Sequence, residues 1–424
     1  MVTTIQPHKQ RRRTIVAGIA GNLMEWYDFA IYGYMIPIIS TRFFPSENHY
    51  ASMIQAFSVF AAGYFARPLG GLIFGYIGDT WGRKAVLIWS VTLMGVSTFS
   101  IGLLPDVSQI GILAPILLVG LRIFQGLSVG GEYTGSVTFV LEQAPSGRRG
   151  FFTSWIGVGA ALGFLVGSGV GALVMNLFSE QQIHDWAWRL PFLTGIVIAF
   201  VGYIIRRHTQ EPPTPENEVP LDRSPAVVAF RDHWRAMLKV MGLALAPNVS
   251  FYMIFVYVSS FLTTQIHFPE PKTMDINTIN LLVLTAFIPV AGWLSDKFGR
   301  KPMLLTGNLA LLLLAWPLFW LINHDQALLI FLGQLGFALL IAWLTGANPA
   351  AQGELISHRV RVSAFSMAYN ICLAIFGGTT PLMAAYLIEQ THHNMAPAWY
   401  LIVMSVITLT AVFTIRETKS KDLS

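Results

Sequence analysis

An all-α polytopic membrane protein, with twelve transmembrane helices in two pseudo-symmetric six-helix bundles, is the fold this sequence predicts, on three observations. The 424 residues are 54% hydrophobic and only 12% charged, with mean hydropathy +0.57, which is too apolar for a surface facing water. Apolar stretches of about 20 residues recur between short polar hinges, each long enough for a helix to cross roughly 30 Å of hydrocarbon. A ten-residue motif also occurs twice, at 75–84 and 292–301, about half the chain apart.

Hydropathy and turn signals put the spans near residues 14–40, 50–76, 85–104, 110–141, 152–178, 188–206, 236–264, 276–295, 302–322, 327–350, 362–388 and 397–415. The first is preceded by Lys9, Arg11, Arg12 and Arg13, as a secretory signal would be, but it outruns a signal's apolar region and carries Glu25 and Asp28. It reads as a retained helix. An even number of spans puts both termini on one side, and cytoplasmic loops keep Lys and Arg. Of 27 basic residues, 22 fall on the side of the termini, Arg42, Arg189 and Lys272 fall opposite, and Arg67 and Arg122 lie within spans. Both termini are therefore expected in the cytoplasm of a cell with a bacterial-type inner membrane. Orientation then accounts for the net charge of +5 without a nucleic-acid partner. Residues 207–235 are the longest polar stretch and hold five prolines. They read as a cytoplasmic linker between bundles at 14–206 and 236–415, with short tails at 1–13 and 416–424. Cys372 is the only cysteine and lies in an apolar segment, so neither a disulfide framework nor a cysteine metal cluster is available.

The duplicated motif reads Gly-Tyr-Ile-Gly-Asp-Thr-Trp-Gly-Arg-Lys at 75–84 and Gly-Trp-Leu-Ser-Asp-Lys-Phe-Gly-Arg-Lys at 292–301, each copy ending one apolar helix and starting the next. A second echo sets Glu142 before Arg148 and Arg149, and Glu354 before Arg359 and Arg361. Six helices repeated twice suit a secondary carrier. The pattern Gly-x-x-x-Asp-x-x-Gly-Arg-Lys/Arg between the second and third helices resembles the signature of the major facilitator superfamily and is intact at 75–84. Within that superfamily the chain is similar to the metabolite:proton symporters, the group of proline/betaine, α-ketoglutarate, citrate and shikimate carriers. The residues carrying the likeness are Gly21-Asn22-Leu23-Met24-Glu25-Trp26-Tyr27-Asp28-Phe29, Arg67-Pro68-Leu69-Gly70-Gly71, and Arg122-Ile123-Phe124-Gln125-Gly126-Leu127-Ser128-Val129-Gly130-Gly131-Glu132. The resemblance implies the major facilitator fold, alternating access, proton-coupled symport of a small organic solute, no cofactor, and a monomer. Osmosensing carriers of the group often add a coiled-coil extension, which this sequence does not show before Ser424, so osmotic sensing is not expected.

A charge at mid-bilayer costs about 2.5–3.5 kcal/mol on the insertion scale, so Glu25, Asp28, Arg67, Arg122 and Glu132 must pair or line a wet cavity. Asn22, Glu25, Phe29 and Tyr32 share one face of the first span, with Asp28 beside them, and Arg122, Gln125, Val129 and Glu132 repeat that spacing in the fourth. A substrate cavity between the two stripes is expected, the bland alternative being buried structural pairs. Proton coupling needs a carboxyl poised by burial between charged and neutral, for which Glu25, Asp28 and Glu132 are the candidates. Arg122, and Arg67 after it, can offer a bidentate fork to a substrate carboxylate. In the second half Asn248, Tyr252 and Ser259 share a face, and Tyr369 and Asn370 supply uncharged partners. The hairpins bring gating residues: Gly75, Asp79, Gly82 and Arg83 in one, Gly292, Asp296, Gly299 and Arg300 in the other. Asp79 is expected to cap a helix or accept Arg148, and Asp296 to meet Arg359 or Arg361, with Glu142 and Glu354 joining these clusters. Gly159, Gly163, Gly167 and Gly171 form a side-chain-free ridge in the fifth span, which also lacks the Gly-Pro pair of many antiporters, so symport is favoured.

Other classes lack their residues. The chain has no Gly-Lys dipeptide, hence no P-loop, and its ten histidines include no His-Glu-x-x-His pattern, so neither an ATP-driven pump nor a zinc enzyme is expected. The expected function is proton symport of a small carboxylate-bearing solute. A facilitator, exporter or sensor of the same fold is the alternative.

Overall fold

A computed structural model of the chain describes residues 8–81, 83–207 and 225–419. Among the described residues the helices join into rods that follow the predicted spans. In the first half these are α1 (His8–Tyr34, continued by Ile36–Phe43), α2 (His49–Trp81), α3 (Arg83–Leu103), α4 (Leu113–Gln143), α5 (Arg149–Leu177) and α6 (Leu190–Arg207). In the second they are α7 (Trp234–Thr264), α8 (Glu270–Phe298), α9 (Arg300–Ile322), α10 (Ala327–Leu355), α11 (Arg361–Thr391) and α12 (Ala396–Thr414). Eight of the helices are long and apolar enough to cross a membrane by length and composition. Large apolar side chains such as Leu69, Leu117, Leu173, Leu313 and Trp399 are exposed, while Asn22, Glu25, Arg67, Arg122, Gln125 and Asn280 are buried. That inversion of the water-soluble pattern is what a lipid solvent demands.

Small residues let the rods press together without a water-driven force between them. A Cβ placed on Gly126 of α4 would lie 1.9 Å from the Gly63 carbonyl oxygen of α2, and one on Gly70 would lie 2.0 Å from that of Leu127. Backbone therefore meets backbone along α2 and α4. The glycine ridge of α5 works likewise: Gly159 and Gly163 seat against Ile19 and Leu23 of α1, Gly167 against Ala30, and Gly171 against Met274 of α8.

Three departures from regular helix bear on the site. α4 breaks between Ser128 and Glu132, with Gly131 outside the helical region at φ −146°, so Glu132 does not continue the face of Arg122 and Gln125 as its spacing predicted. α7 takes a π-helical turn at Met253–Tyr257, which shifts the register of Ser259 relative to Asn248 and Tyr252. α11 has a matching π turn at Leu373–Gly377. The stretch read as linker contributes a short helix, Pro225–Asp232, with proline at its first position, where the missing N–H is harmless. Residues 208–224 lie outside the described residues.

The α2–α4 contact is testable. Gly126→Val forces a side chain into the Gly63 carbonyl and lowers the apparent Tm in detergent, overpacking costing roughly 1–3 kcal/mol or more. Gly120→Val on the same helix has nothing within 4 Å and leaves Tm near the parent value. Equal shifts would show that this contact does not hold the bundle.

Candidate functional site

Where the two halves face each other, a cavity of about 70 Å³ is walled by Trp26, Tyr133 and Phe164 from the first half and by Phe251, Tyr252 and Tyr369 from the second. Asn248, Thr345, Asn348 and Gln352 add neutral polar groups, and among the described residues no charged side chain lines it. The aromatic walls pack on one another: Tyr133 stacks on Tyr369 at 4.9 Å between centroids, and Phe164 meets Phe251 edge-on at 4.7 Å. Hydroxyls also tie the halves here, Tyr64 donating to Tyr252 at 2.9 Å. Tyr369 donates to the Asn248 Oδ1 at 3.3 Å.

The intramembrane charges sit behind this wall. Arg67 pairs with Glu25, both almost fully buried, and its guanidinium lies 5.0 Å from the Trp26 ring and 5.4 Å from those of Phe29 and Tyr64. Removing one partner of such a pair would strand the other, at about 3–5 kcal/mol. Arg122 makes no ion pair among the described residues. It is held by rings instead, 4.6 Å from Phe29 and 4.4 Å from Tyr32, and donates to Gln125 Oε1 at 2.7 Å. Gln125 Nε2 donates to Thr98 Oγ1 at 2.6 Å, and Thr98 in turn donates to the Met94 carbonyl at 3.0 Å, with the Asp28 carboxyl an electrostatic neighbour of Thr98 and Arg122. Three side chains on α4 and α3 are thus joined in a run of hydrogen bonds that starts from a buried cation, close to a buried carboxyl on α1.

Of the residues singled out from sequence, Asn248, Tyr252 and Tyr369 line the cavity. Asn22, Tyr32, Arg67, Arg122 and Gln125 are buried outside its lining, and Tyr32 donates to the Ala56 carbonyl at 3.2 Å. The expected cavity between the α1 and α4 stripes is therefore displaced toward the α1–α5–α7 junction, because Phe29, Tyr32 and Phe60 close around Arg122. Asn370 donates to the Gly130 carbonyl at 2.6 Å, binding α11 to the break in α4. Glu132 opens the second segment of α4 and is half-buried. Trp26, Phe164, Phe251, Asn348 and Gln352 were missed as cavity residues; Trp26 stood only as part of the first-span motif and the others looked like ordinary helix filler, and only helix packing turns them to a common space.

The motif end of the halves is closed by charge. Asp296 accepts the backbone N–H groups of Gly150 and Phe151, each at 2.8 Å, so a carboxylate of one half sits on the N-terminus of α5 in the other. Arg300 lies 2.8 Å from Asp296 and 3.4 Å from Glu354. The expected pairing of Asp296 with Arg361 is corrected: Arg361 instead donates to Glu142 at 2.7 Å, and Arg149 reaches Glu354 at 4.0 Å, while the Arg359 alternative falls on a side chain outside the described residues. Each glutamate takes an arginine from the opposite half. Gly150 and Gly292 also touch there, a Cβ on Gly150 falling 2.6 Å from the Gly292 carbonyl. Arg148 is exposed, and the side chains at Gly75, Asp79, Gly82, Arg83 and Arg359 lie outside the described residues. Gly299 adopts φ +105°, open to glycine alone, with the Glu417 carboxylate beside it.

Glu417 was not foreseen. It accepts the N–H groups of Arg300 at 2.8 Å and Lys301 at 3.0 Å, capping α9, while Thr418 donates to Glu354 at 2.6 Å. Burial pushes the Glu417 carboxyl up, and the backbone donors of Arg300, Lys419, Lys301 and Thr418 outweigh it, holding it below its ordinary value. The opposite end closes with neutral bonds and one charged acceptor: Tyr50 to Gln265 at 2.7 Å, Ser168 with Thr278 at 2.7 Å, and Asn176 to Asp275 at 3.2 Å.

Comparison with known sequences shows the family, and comparison with solved structures shows the fold. The family of sugar (and other) transporters matches residues 13–214 and 225–424. The chain is 39% identical over 433 aligned positions to the glycine betaine/proline/ectoine/pipecolic acid transporter OusA of Dickeya dadantii, covering 99% of this chain and 86% of that one. With the same coverage it is 37% identical to the proline/betaine transporter of Escherichia coli K12. Among solved structures it is similar to a D-xylose–proton symporter, with TM-score 0.76 and 18% identity over 97% of this chain and 99% of the other. It is also similar to the partially occluded inward-open xylose transporter XylE from E. coli, with TM-score 0.70 and 18% identity over 98% and 100%.

Glu417→Ala should destabilise the protein by an amount comparable to losing a helix cap, about 0.5–2 kcal/mol. Because the folded carboxyl titrates below its ordinary value of 4.5, the stabilisation is present above that pH and is lost as pH falls through the lower folded value. Thermal unfolding of parent and variant should therefore converge on acidification below pH 4.5, and a gap that stays constant would refute the capping assignment.

Proposed function

This chain belongs to the sugar (and other) transporters of the major facilitator superfamily and is a multi-pass secondary transporter, and on that premise we propose that it carries a compact zwitterion of the proline or betaine kind together with a proton. The observation that supports the reading best is the cavity between the halves, aromatic-walled, neutral and small. A net-charged solute would enter an uncharged, low-dielectric space at high cost, whereas a zwitterion brings its own counter-charge. Its cationic nitrogen suits the ring faces, and its carboxylate suits amide N–H groups.

The proton step belongs to the buried charges behind the wall. Protonation of Asp28 removes a negative charge within electrostatic reach of Arg122, and through Phe29 and Tyr32 around that guanidinium it alters the packing on which the cavity rests. Glu25 and Arg67 hold the adjacent wall through Trp26, with Glu132 at the α4 break as the third acid. Asn22 and Asn370 join α1 and α11 to their neighbours, while Asn248, Tyr252 and Tyr369 meet the solute. The protein resides in a bacterial-type inner membrane with both termini cytoplasmic, so the end closed by Asp296, Arg300, Glu354, Glu142 and Arg361 is the inner gate. It opens when these bonds part and the bundles rock.

Proteoliposomes test this. Radiolabelled proline or glycine betaine should accumulate under an imposed pH gradient, acid on the uptake side, and fall to equilibration with a protonophore. Equal uptake with and without the gradient would leave a facilitator, and transport of neither solute would remove the substrate class.

Asp28→Asn should keep solute exchange at equilibrium yet lose gradient-driven accumulation. Arg122→Gln should impair both, since Arg122 anchors the ring cluster as well as the chain of hydrogen bonds. Full accumulation by the Asp28 variant would move the proton site elsewhere.

A further inference from the structure

Ser168 of α5 belongs to the first half, is fully buried, and begins a directed run of hydrogen bonds through the second. Asn277 Nδ2 of α8 donates to Ser168 Oγ at 3.0 Å. Thr278 Oγ1 gives its hydrogen to the Met274 carbonyl at 2.8 Å, so in its 2.7 Å bond with Ser168 it accepts. Ser168 thus stands between a donor and an acceptor of α8. The other side of the Asn277 amide is set from α10. Gln334 Nε2 donates to Asn277 Oδ1 at 2.8 Å and to the Ile254 carbonyl of α7 at 3.2 Å, while its Oε1 accepts from Asn280 Nδ2 at 3.2 Å. Turning the Asn277 amide over would face Gln334 Nε2 with a second donor. Asn277, Asn280 and Gln334 are as buried as Ser168, and in such surroundings a neutral network is strong when complete and costly when one member leaves.

Ile254 lies in the π turn Met253–Tyr257, directly after Phe251 and Tyr252, which line the cavity. Single π turns inside helices collect at functional positions. The run of bonds therefore joins a contact between the halves to the aromatic wall. We infer that Gln334 is a positioning residue that couples closure of the end opposite the charged gate to the seating of Phe251 and Tyr252. With the halves together at that end, Ser168 holds Asn277, Asn277 aims Gln334, and Gln334 pins the π turn. With the halves apart, Ser168 leaves with α5, Asn277 turns to another acceptor, and the π turn loses its fixed donor. Such coupling is reciprocal: a solute packed on the wall favours closure, and closure favours the solute. The solute's part in this rests on the zwitterion reading above, and the coupling goes beyond it.

Gln334→Met keeps the side chain's length and removes its hydrogen bonds, and Ser168→Ala removes the far end of the run. Should Gln334→Met not fold, Gln334→Asn, one methylene shorter, withdraws the amide from Ile254 and takes its place. Spin labels at Glu47→Cys and Lys272→Cys, both exposed positions, report the distance between the halves at that end in a Cys372→Ser background. Each variant should widen the solute-free distance distribution, and the double variant should widen it no further than the larger single effect. A role confined to the second half would leave the Gln334 variant at the parent's distances, and independent roles would add. Either result overturns the inference. Transport reads the other end of the run: each variant should raise the KM for proline or glycine betaine about three- to ten-fold, and the double variant no more. Unchanged KM values would overturn the inference equally. If the parent moves neither solute, the zwitterion reading fails, while the distances still decide the coupling.

Discussion

Every polar group sunk into this bundle must find its partner inside the protein, because hydrocarbon offers none. That constraint shapes the two buried arginines differently. Arg67 is neutralised directly by Glu25 and flanked by Trp26, Phe29 and Tyr64, whereas Arg122 lies among Phe29, Tyr32 and Phe60, donates to Gln125, and has Asp28 within electrostatic reach but not in an ion pair. A direct pair is hard to break. A cation held by ring quadrupoles and a neutral amide is easier to retune, since its surroundings can respond to the protonation of one acid without stranding a bare charge.

The halves are fastened differently at their two ends. At one end, carboxylates sit on helix N-termini and on arginines of the opposite half, as with Asp296 on Gly150 and Phe151 and Glu142 on Arg361. At the other, the bonds run between amides and hydroxyls, with Asp275 the one charged acceptor named there. Charge-assisted bonds are roughly twice as strong as neutral ones, so the balance between ends is uneven before any solute binds. The crossing of the glutamates is the same device seen in the primary structure. Duplication supplied each half with an acid and a pair of arginines, and assembly exchanged them.

Irregular backbone collects where the cavity lies. α4 breaks at Gly130 and Gly131, α7 carries Pro247 and a π turn, and α11 carries the second π turn. Each break frees carbonyls, and side chains answer: Asn348 for Leu243, Gln334 for Ile254 at 3.2 Å, and Asn370 with Ser366 for Gly130. Broken helices are tolerated in a membrane only under such cover. The amides around the cavity therefore hold the helices as well as line the space between the halves.

The spans, the duplication and four of the five intramembrane charges, Glu25, Asp28, Arg67 and Arg122, were legible in the residues alone. Hydropathy, helix length and a repeated Gly-Arg-Lys motif are local properties, which need no knowledge of neighbours. What lay between the rods was not. The periodicity that set Arg122, Gln125 and Glu132 on one face assumed an unbroken helix, and the Gly130–Gly131 break undid it. Likewise Phe164 and Phe251 carry no signal distinguishing them from lipid-facing aromatics, and Glu417 none that marks it as the cap of α9. Sequence determined which side chains lipid would not accept. Tertiary packing alone decided which partners they took, because pairs such as Glu142 and Arg361 meet only after the two halves have closed on each other.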